Sequence, residues 1–269
     1  MITKAYIDAL NYPDFVGFIN QWNVLPGAHD TISRWAIYGR VDDRSRVLQA
    51  ACTTGFQSRE LARLTGCAAV GVDLSPTAIE MARWNAERYA PQADLTYVNM
   101  DAVEYASDER FTHIAVGGGL KFFRDPPSAL RSLLGQLKDG GYVLASPFWV
   151  TRPVPQSLMR QARDVFGIDP TNTGYDEVMA LYRGLDLMYE QRFEINVEPE
   201  DEVERYCEAT IARACEIRGV TDGAVIDAMM NRLRDVRRVS NLLRPYQNYS
   251  TLVLRYSAEQ YPNRYVELF

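Results

Sequence analysis

From residue 46 onward, short apolar runs alternate with stretches in which apolar positions recur at helical spacing. The runs at 46–50, 68–72, 95–98, 113–116 and 142–146 read as strands, and the stretches at 58–64, 76–89 and 126–137 read as helices. The second helix has Pro76 in its first turn and Ser75 as its cap, and Asp139-Gly140-Gly141 stops the third. Strands alternating with helices of this length imply a mainly parallel sheet covered on both faces. Ahead of this unit, Ile7, Leu10, Phe15, Phe18, Ile19 and Trp22 mark two or three short helices. Leu25-Pro26-Gly27 breaks that pattern before a helix at 30–38. Beyond Phe148 the rhythm changes: 153–184 looks helical, a strand falls within 187–197, two long helices follow near 199–218 and 223–243, and 250–256 is a last strand. The chain therefore divides into an N-terminal helical segment at 1–40, an α/β core at 41–150, and a helical elaboration at 151–269 carrying the final strands.

Composition narrows the function classes. The 269 residues are 47% hydrophobic and 24% charged, with a net charge of −6, a surface that repels a phosphate backbone on average. Nucleic acid is thus disfavoured as a partner and a small molecule favoured. No run of about 18 apolar residues occurs, so no membrane span is expected, and the first residues lack the basic start and apolar stretch of a secretory signal. Four scattered cysteines and two histidines form no zinc spacing, so no metal is expected and a reducing, cytoplasmic setting is. The oligomeric state is not legible.

The most informative stretch is VLQAACTTGFQSRELA at 47–62, where an apolar strand runs into the small residues Ala50 to Gly55 and then into a helix. Small side chains at such a turn let a ligand lie against the backbone, at the carboxyl edge of the sheet where ligands bind. The second strand ends in Asp73, where a carboxylate can accept both hydroxyls of a ribose. The third leads to Asp101, placed to hold the exocyclic amine of an adenine. The dinucleotide alternative needs G-x-G-x-x-G under its pyrophosphate, and this turn keeps one glycine.

The order VLxxxCxxG, VGVDLSPTAIEMARWNA, NMDA, VGGGLKFFRDP and LKDGGYVLAS resembles the class I S-adenosylmethionine (SAM)-dependent methyltransferases, particularly small-molecule members, over about 45–150. The terminal YSTLVLRY resembles their final antiparallel strand. The resemblance implies a seven-stranded, mostly parallel Rossmann-like sheet with helices on both faces, an N-terminal helical lid and a helical cap inserted in the C-terminal half. It implies SAM across the carboxyl edge, released as S-adenosylhomocysteine, with Gln49, Ala51, Cys52, Thr53 and Gly55 under the methionine portion. Asp73 and Leu74 would meet the ribose, Asp101 and Ala102 the adenine, and Gly117 the methyl group. The first motif departs from the family pattern: an acidic residue followed by G-x-G-x-G is Gln49, Ala51, Thr53 and Gly55 here.

The reacting end is less legible, because methyl transfer needs in-line positioning and a proton acceptor but no covalent nucleophile. His29, between Pro26-Gly27 and a helix, is the better general-base candidate of the two histidines. His113 opens the fourth strand at the end away from the ligand edge and reads as structural. Lys121 is a candidate to hold a substrate carboxylate, and Phe122 and Trp149 to line its pocket. Tyr175, Tyr182, Tyr189, Tyr206, Tyr246 and Tyr249 with Arg183, Arg192 and Arg244 supply further aromatic and charged candidates. The expected activity is SAM-dependent methylation of a small metabolite. The altered motif leaves open other SAM chemistry, aminocarboxypropyl transfer or ring closure releasing methylthioadenosine, and a SAM-binding protein without catalysis.

Overall fold

The computed structural model describes residues 2–263; the last six positions of the expected third segment lie outside the described residues. The core strands are β1 (Arg46–Ala50), β2 (Ala68–Asp73), β3 (Leu95–Asn99), β4 (Phe111–Gly117) and β5 (Leu137–Ala145), followed by β6 (Phe148–Val150), β7 (Asp186–Glu194) and β8 (Gln247–Arg255). They form one sheet in the order β3-β2-β1-β4-β5-β8-β6, with β7 on the other side of β8. Strands β1 to β5 pair in parallel, and β8 runs antiparallel to β5, β6 and β7.

Sequence reading put seven strands in this sheet, and the described residues form eight. Past Ser146-Pro147 the chain resumes pairing, so that Phe148, Trp149 and Val150 oppose Tyr249, Asn248 and Gln247. The Asp139-Gly140-Gly141 signal also acts differently from expectation. Helix α6 (Pro126–Leu134) already ends at Leu134, and the two glycines form an irregularity inside β5. Gly140 has a φ of 75°, and a Cβ on Gly141 would stand 2.8 Å from both Leu137 Cγ and the Thr112 carbonyl oxygen. Glycine is required there by the close approach of β4.

Apolar residues alternate to the two faces as a sheet buried on both sides demands. Leu48, Val70, Val72, Ile114, Val116 and Val143 pack under α6, through Leu130, Leu133 and Leu134. Val47, Ala69, Ala115, Leu144 and Val253 face α3 (Ala28–Tyr38) and α4 (Phe56–Thr65), through Ile32, Trp35, Phe56 and Leu61. Helix α5 (Pro76–Tyr89) covers the outer part of that face, with Ile79 and Ala82 against Tyr97.

The N-terminal helices α1 (Lys4–Ala9) and α2 (Tyr12–Phe18) share a second core with the elaboration. Ile7, Phe15, Phe18 and Ile19 pack against α9 (Glu200–Arg218) and α10 (Gly223–Leu243), among Val203, Ile211, Met229 and Leu233. The stretch at 153–184, which looks helical in the sequence, holds two separate helices, α7 (Gln156–Phe166) and α8 (Tyr175–Ala180). No helix among the described residues is long and apolar enough to cross a membrane.

Candidate active site

The turn after β1 is built from alternating left-handed residues: Ala51 (φ 53°), Thr53 (φ 48°) and Gly55 (φ 77°). Glycine enters this region without cost, whereas an L-residue carries about 1–2 kcal/mol of steric strain there. Only the third position is glycine, and a Cβ on it would come 2.6 Å from the Tyr97 hydroxyl oxygen. The strain is held from several sides. Cys52 N–H donates to the Val72 carbonyl at 3.0 Å, and Thr53 N–H donates to Asp73 Oδ2 at 2.8 Å. The Thr54 hydroxyl donates to the Gln21 carbonyl at 2.8 Å, and Asn85 Nδ2 donates to the Thr54 carbonyl at 3.1 Å.

Gln49, expected beside the ligand, bonds inward. Its Oε1 accepts from Ser58 N–H at 2.9 Å and its Nε2 donates to the Cys52 carbonyl at 3.2 Å, tying strand, turn and helix together. Cys52 is likewise turned away, fully buried among Ile79, Ala82 and Tyr97, and burial raises its thiol pKa.

Asp73 ends β2 beside this turn and is 8% exposed. Oδ2 accepts from Thr53 N–H and Oδ1 from Ser75 N–H, each at 2.8 Å, which leaves each oxygen a free lone pair. Burial raises its pKa, and the two backbone N–H groups oppose that shift. Next to it Leu74 is 70% exposed, an apolar side chain uncovered at a polar rim. Asn99 Nδ2 fixes this corner by donating to the carbonyls of Asp73 and Leu74, each at 2.9 Å. Asp101 lies at the end of the neighbouring strand, where its Oδ1 accepts from Val103 N–H at 3.0 Å. Ala102 packs into the α6-side core and presents no side chain at the rim.

Opposite the β1 turn, β4 ends in Gly117 (φ 50°), followed by Gly118 and Gly119. A Cβ on Gly119 would lie 3.6 Å from the Ala51 Cβ, so the two turns face each other across the point where the strand order reverses. In open α/β sheets this crevice is where ligands bind.

The N-terminal segment, expected as a lid, meets the β1 turn through residues that the sequence did not single out. Asp14 Oδ1 accepts from the Ser75 hydroxyl at 2.6 Å, and its carbonyl accepts from the Thr77 hydroxyl at 2.8 Å. Asn20 and Asn85 exchange two amide hydrogen bonds of 3.0 and 2.9 Å. Arg59, fully buried, lies 4.1 Å from the Trp22 ring and donates to the Thr54 carbonyl at 3.3 Å. Asn20 and Asn85 among apolar neighbours are the one sequence signal for this contact, since buried amides demand partners.

The residues assigned to the acceptor side divide. His29 is exposed in the first turn of α3, edge-on to Phe56 at 5.2 Å. Lys121 follows the three glycines; its Nζ donates to the Thr171 hydroxyl and lies 4.7 Å from the Phe122 ring, and burial lowers its pKa to about 8. Phe122 is 53% exposed. Trp149 Nε1 donates to the Ser250 hydroxyl at 3.2 Å, and its ring meets Tyr175 edge-on at 5.4 Å. Beside Trp149, Glu190 accepts from the Tyr175 hydroxyl at 2.9 Å, from the Ser250 hydroxyl at 3.1 Å and from Arg192 Nε at 3.1 Å. Four other candidates lie elsewhere. Tyr182 is in the core, Tyr189 stacks on Tyr38, Tyr206 receives Arg237 on its ring, and Arg244 pairs with Glu198. His113 is buried between Thr112 and the Gly39 carbonyl, and burial lowers its pKa. The described residues contain no cluster of His, Cys, Asp and Glu suited to a metal.

The strand order, the facing turns and the carboxylate one strand along define a class I SAM-dependent methyltransferase fold. Residues 47–141 match the methyltransferase domain model. A demethylmenaquinone methyltransferase from Clavibacter sepedonicus is 32% identical over 122 residues, 45% of this chain and 47% of that protein. The chain thus spans about half the length of the curated relatives it matches. Among solved structures, MccD protein superposes with a TM-score of 0.69 at 26% identity, covering 87% of this chain and 99% of that one. A SAM-dependent methyltransferase from Geobacter sulfurreducens in complex with S-adenosylhomocysteine gives 0.67 at 19% identity, covering 91% and 98%.

Proposed function

We propose that this chain is a SAM-dependent methyltransferase acting on a small molecule. The observation that carries the reading is Asp73: a buried carboxylate with one lone pair free on each oxygen, braced by the turn that faces the end of β4. The residues fit the cofactor. The turn keeps a glycine-type backbone at Ala51 and Thr53 although both glycines of the family pattern are gone. Leu74 leaves an apolar surface beside Asp73, as a nucleoside requires.

When bound, SAM supplies a sulfonium methyl whose S–C bond breaks as a nucleophile's bond to carbon forms, the electron pair staying on sulfur. Asp73 accepts the two ribose hydroxyls, and Asp101 holds the adenine amine on the neighbouring strand. Gly117 lets the cofactor approach the end of β4. Phe122 and Trp149 flank the acceptor, Lys121 holds an anionic group on it, and His29 takes its proton. The net charge of −6 supports a small-molecule acceptor over nucleic acid, and four free cysteines support a cytoplasmic setting.

The test is calorimetric titration with SAM and S-adenosylhomocysteine, followed by product analysis of a SAM incubation with candidate acceptors. No binding of either compound refutes the proposal. One observation favours a second reading: Ala51 and Thr53 place side chains where the family pattern has none, and Gln49 is turned inward. A changed pose of the methionine portion would direct attack to another sulfonium carbon. Methylthioadenosine among the products identifies that route, and S-adenosylhomocysteine identifies methylation.

A further inference from the structure

Gln49, at the position of the usual acidic residue, has both ends of its amide engaged inside the protein. The amino-acid end of the cofactor must therefore find other partners. Two buried polar side chains without any are found at the end of β4.

Gln57, in the first turn of α4, is 6% exposed, and its amide makes no hydrogen bond; Oε1 is buried without a donor. It lies over Gly117, where a Cβ would come 2.6 Å from Gln57 Nε2. Ser146, just past β5, is fully buried, and its hydroxyl has no partner. Ser146 N–H donates to the Gly117 carbonyl at 2.7 Å, and a Cβ on Gly118 would stand 3.1 Å from the Ser146 carbonyl oxygen. The Gln57 amide and the Ser146 backbone thus flank one glycine turn, the turn that faces Ala51 across the crevice. Buried polar groups are nearly always satisfied, and two orphans at a single turn mark a place where a polar ligand completes the bonding.

We infer that Gln57 and Ser146 receive the amino-acid end of the cofactor, an inference resting on the SAM reading above. The chemistry matches a zwitterion. An amide carbonyl accepts from an ammonium, and an amide N–H or a hydroxyl donates to a carboxylate. Reception is by neutral groups, in contrast to the acidic residue of the family pattern.

The experiment is calorimetry on the full chain with S-adenosylhomocysteine and with 5′-methylthioadenosine, which has the same nucleoside but no amino-acid end. Gln57→Leu should weaken S-adenosylhomocysteine roughly tenfold or more, as expected for a lost hydrogen bond to a charged group. It should leave 5′-methylthioadenosine within about twofold, the limit set by the absence of a lost contact. Ser146→Ala should show the same split, and it carries the comparison if thermal unfolding shows that Gln57→Leu does not fold. Equal weakening of both ligands, or no weakening of S-adenosylhomocysteine, overturns the assignment while leaving SAM binding intact. Wild-type protein that binds neither compound overturns the cofactor reading and this assignment together.

Discussion

Replacing Thr53 with glycine should make the protein more stable, against the usual effect of removing a side chain. Thr53 sits at a φ of 48°, and only its backbone is engaged: N–H donates to Asp73, and the carbonyl accepts from the Cys52 thiol. A left-handed L-residue carries about 1–2 kcal/mol of strain, and β-branching places Thr toward the upper end. Glycine gives back about 0.4–1 kcal/mol through the greater freedom of its unfolded chain. The net is a gain of about 0.5–1.5 kcal/mol, which for a domain of this size corresponds to a rise in Tm of roughly 1–5 °C. Differential scanning calorimetry of wild type and Thr53→Gly at one pH and salt concentration checks it. Gly55→Ala is the opposite control, because its new Cβ would meet Tyr97 at 2.6 Å in a left-handed position; that variant should lose stability. A fall of more than about 2 °C in Thr53→Gly, well outside the strain range above, would refute the reasoning.

Asp73→Asn turns one acceptor into a donor facing a backbone N–H, and it should weaken S-adenosylhomocysteine binding at least about tenfold by calorimetry. Because burial holds the wild-type carboxyl above its ordinary 3.8, affinity should fall with decreasing pH already above that value, and this step should vanish in the variant. Lys121, with a folded pKa of about 8 against 10.5 ordinarily, binds its proton more weakly folded than unfolded. Wild-type stability should therefore rise between those two pH values, whereas Lys121→Met should lack the rise and gain up to about 3 kcal/mol over wild type at pH 7. Urea denaturation at pH 7 and pH 10 measures both, and parallel profiles would count against the buried-lysine reading. His29→Ala, an exposed change, should alter stability by less than about 0.5 kcal/mol. The same variant should lower kcat about 10²-fold or more with a protonated acceptor; full turnover would remove His29 from the mechanism.

Elements whose boundaries are set locally were legible in the sequence. Helix α10 spans Gly223–Leu243 as its periodicity indicated, because Asp222 caps it by accepting from Ala224 and Val225 N–H. Helix α5 starts at Pro76 with Ser75 accepting from Ala78 N–H. What failed to show in the sequence depended on distant contacts. Gly140 and Gly141 look like a helix stop, yet glycine is needed at 140 by a φ of 75° and at 141 by the close approach of β4. Asp73, Leu74 and Gly117 fall at the rim as their strand ends imply, but nothing in the local sequence says that Gln49 satisfies itself inward. Gln57 gives no local signal for a related reason: a glutamine in a first helical turn is usually solvated, and only the fold shows that this one is buried without a partner. The apolar spacing of Ile7, Phe15 and Phe18 announced helices, whereas their packing against α9 and α10 depends on residues some 200 positions away.

That distant packing explains how the turn can hold strained residues at all. Unfavourable backbone conformations persist when surrounding structure over-determines them. At Thr54, Gln21, Asn85 and Arg59 each bond the residue from a different element. Gln21 is in turn held by the N-terminal segment, whose carbonyls are gathered by arginines of the C-terminal helices. Arg213 donates to Asn20 at 3.2 Å, Arg218 to Phe18 at 3.1 Å, and Arg232 to Ile7 and Leu10 at 2.7 Å each. Cations at the carbonyl ends of helices are favoured by the helix dipole as well as by the hydrogen bonds. The 47–141 segment therefore contains the strained turn but only part of what restrains it. With the flanking segments in place, Ala51 and Thr53 can occupy positions that otherwise call for glycine, and the crevice keeps its shape despite the altered motif.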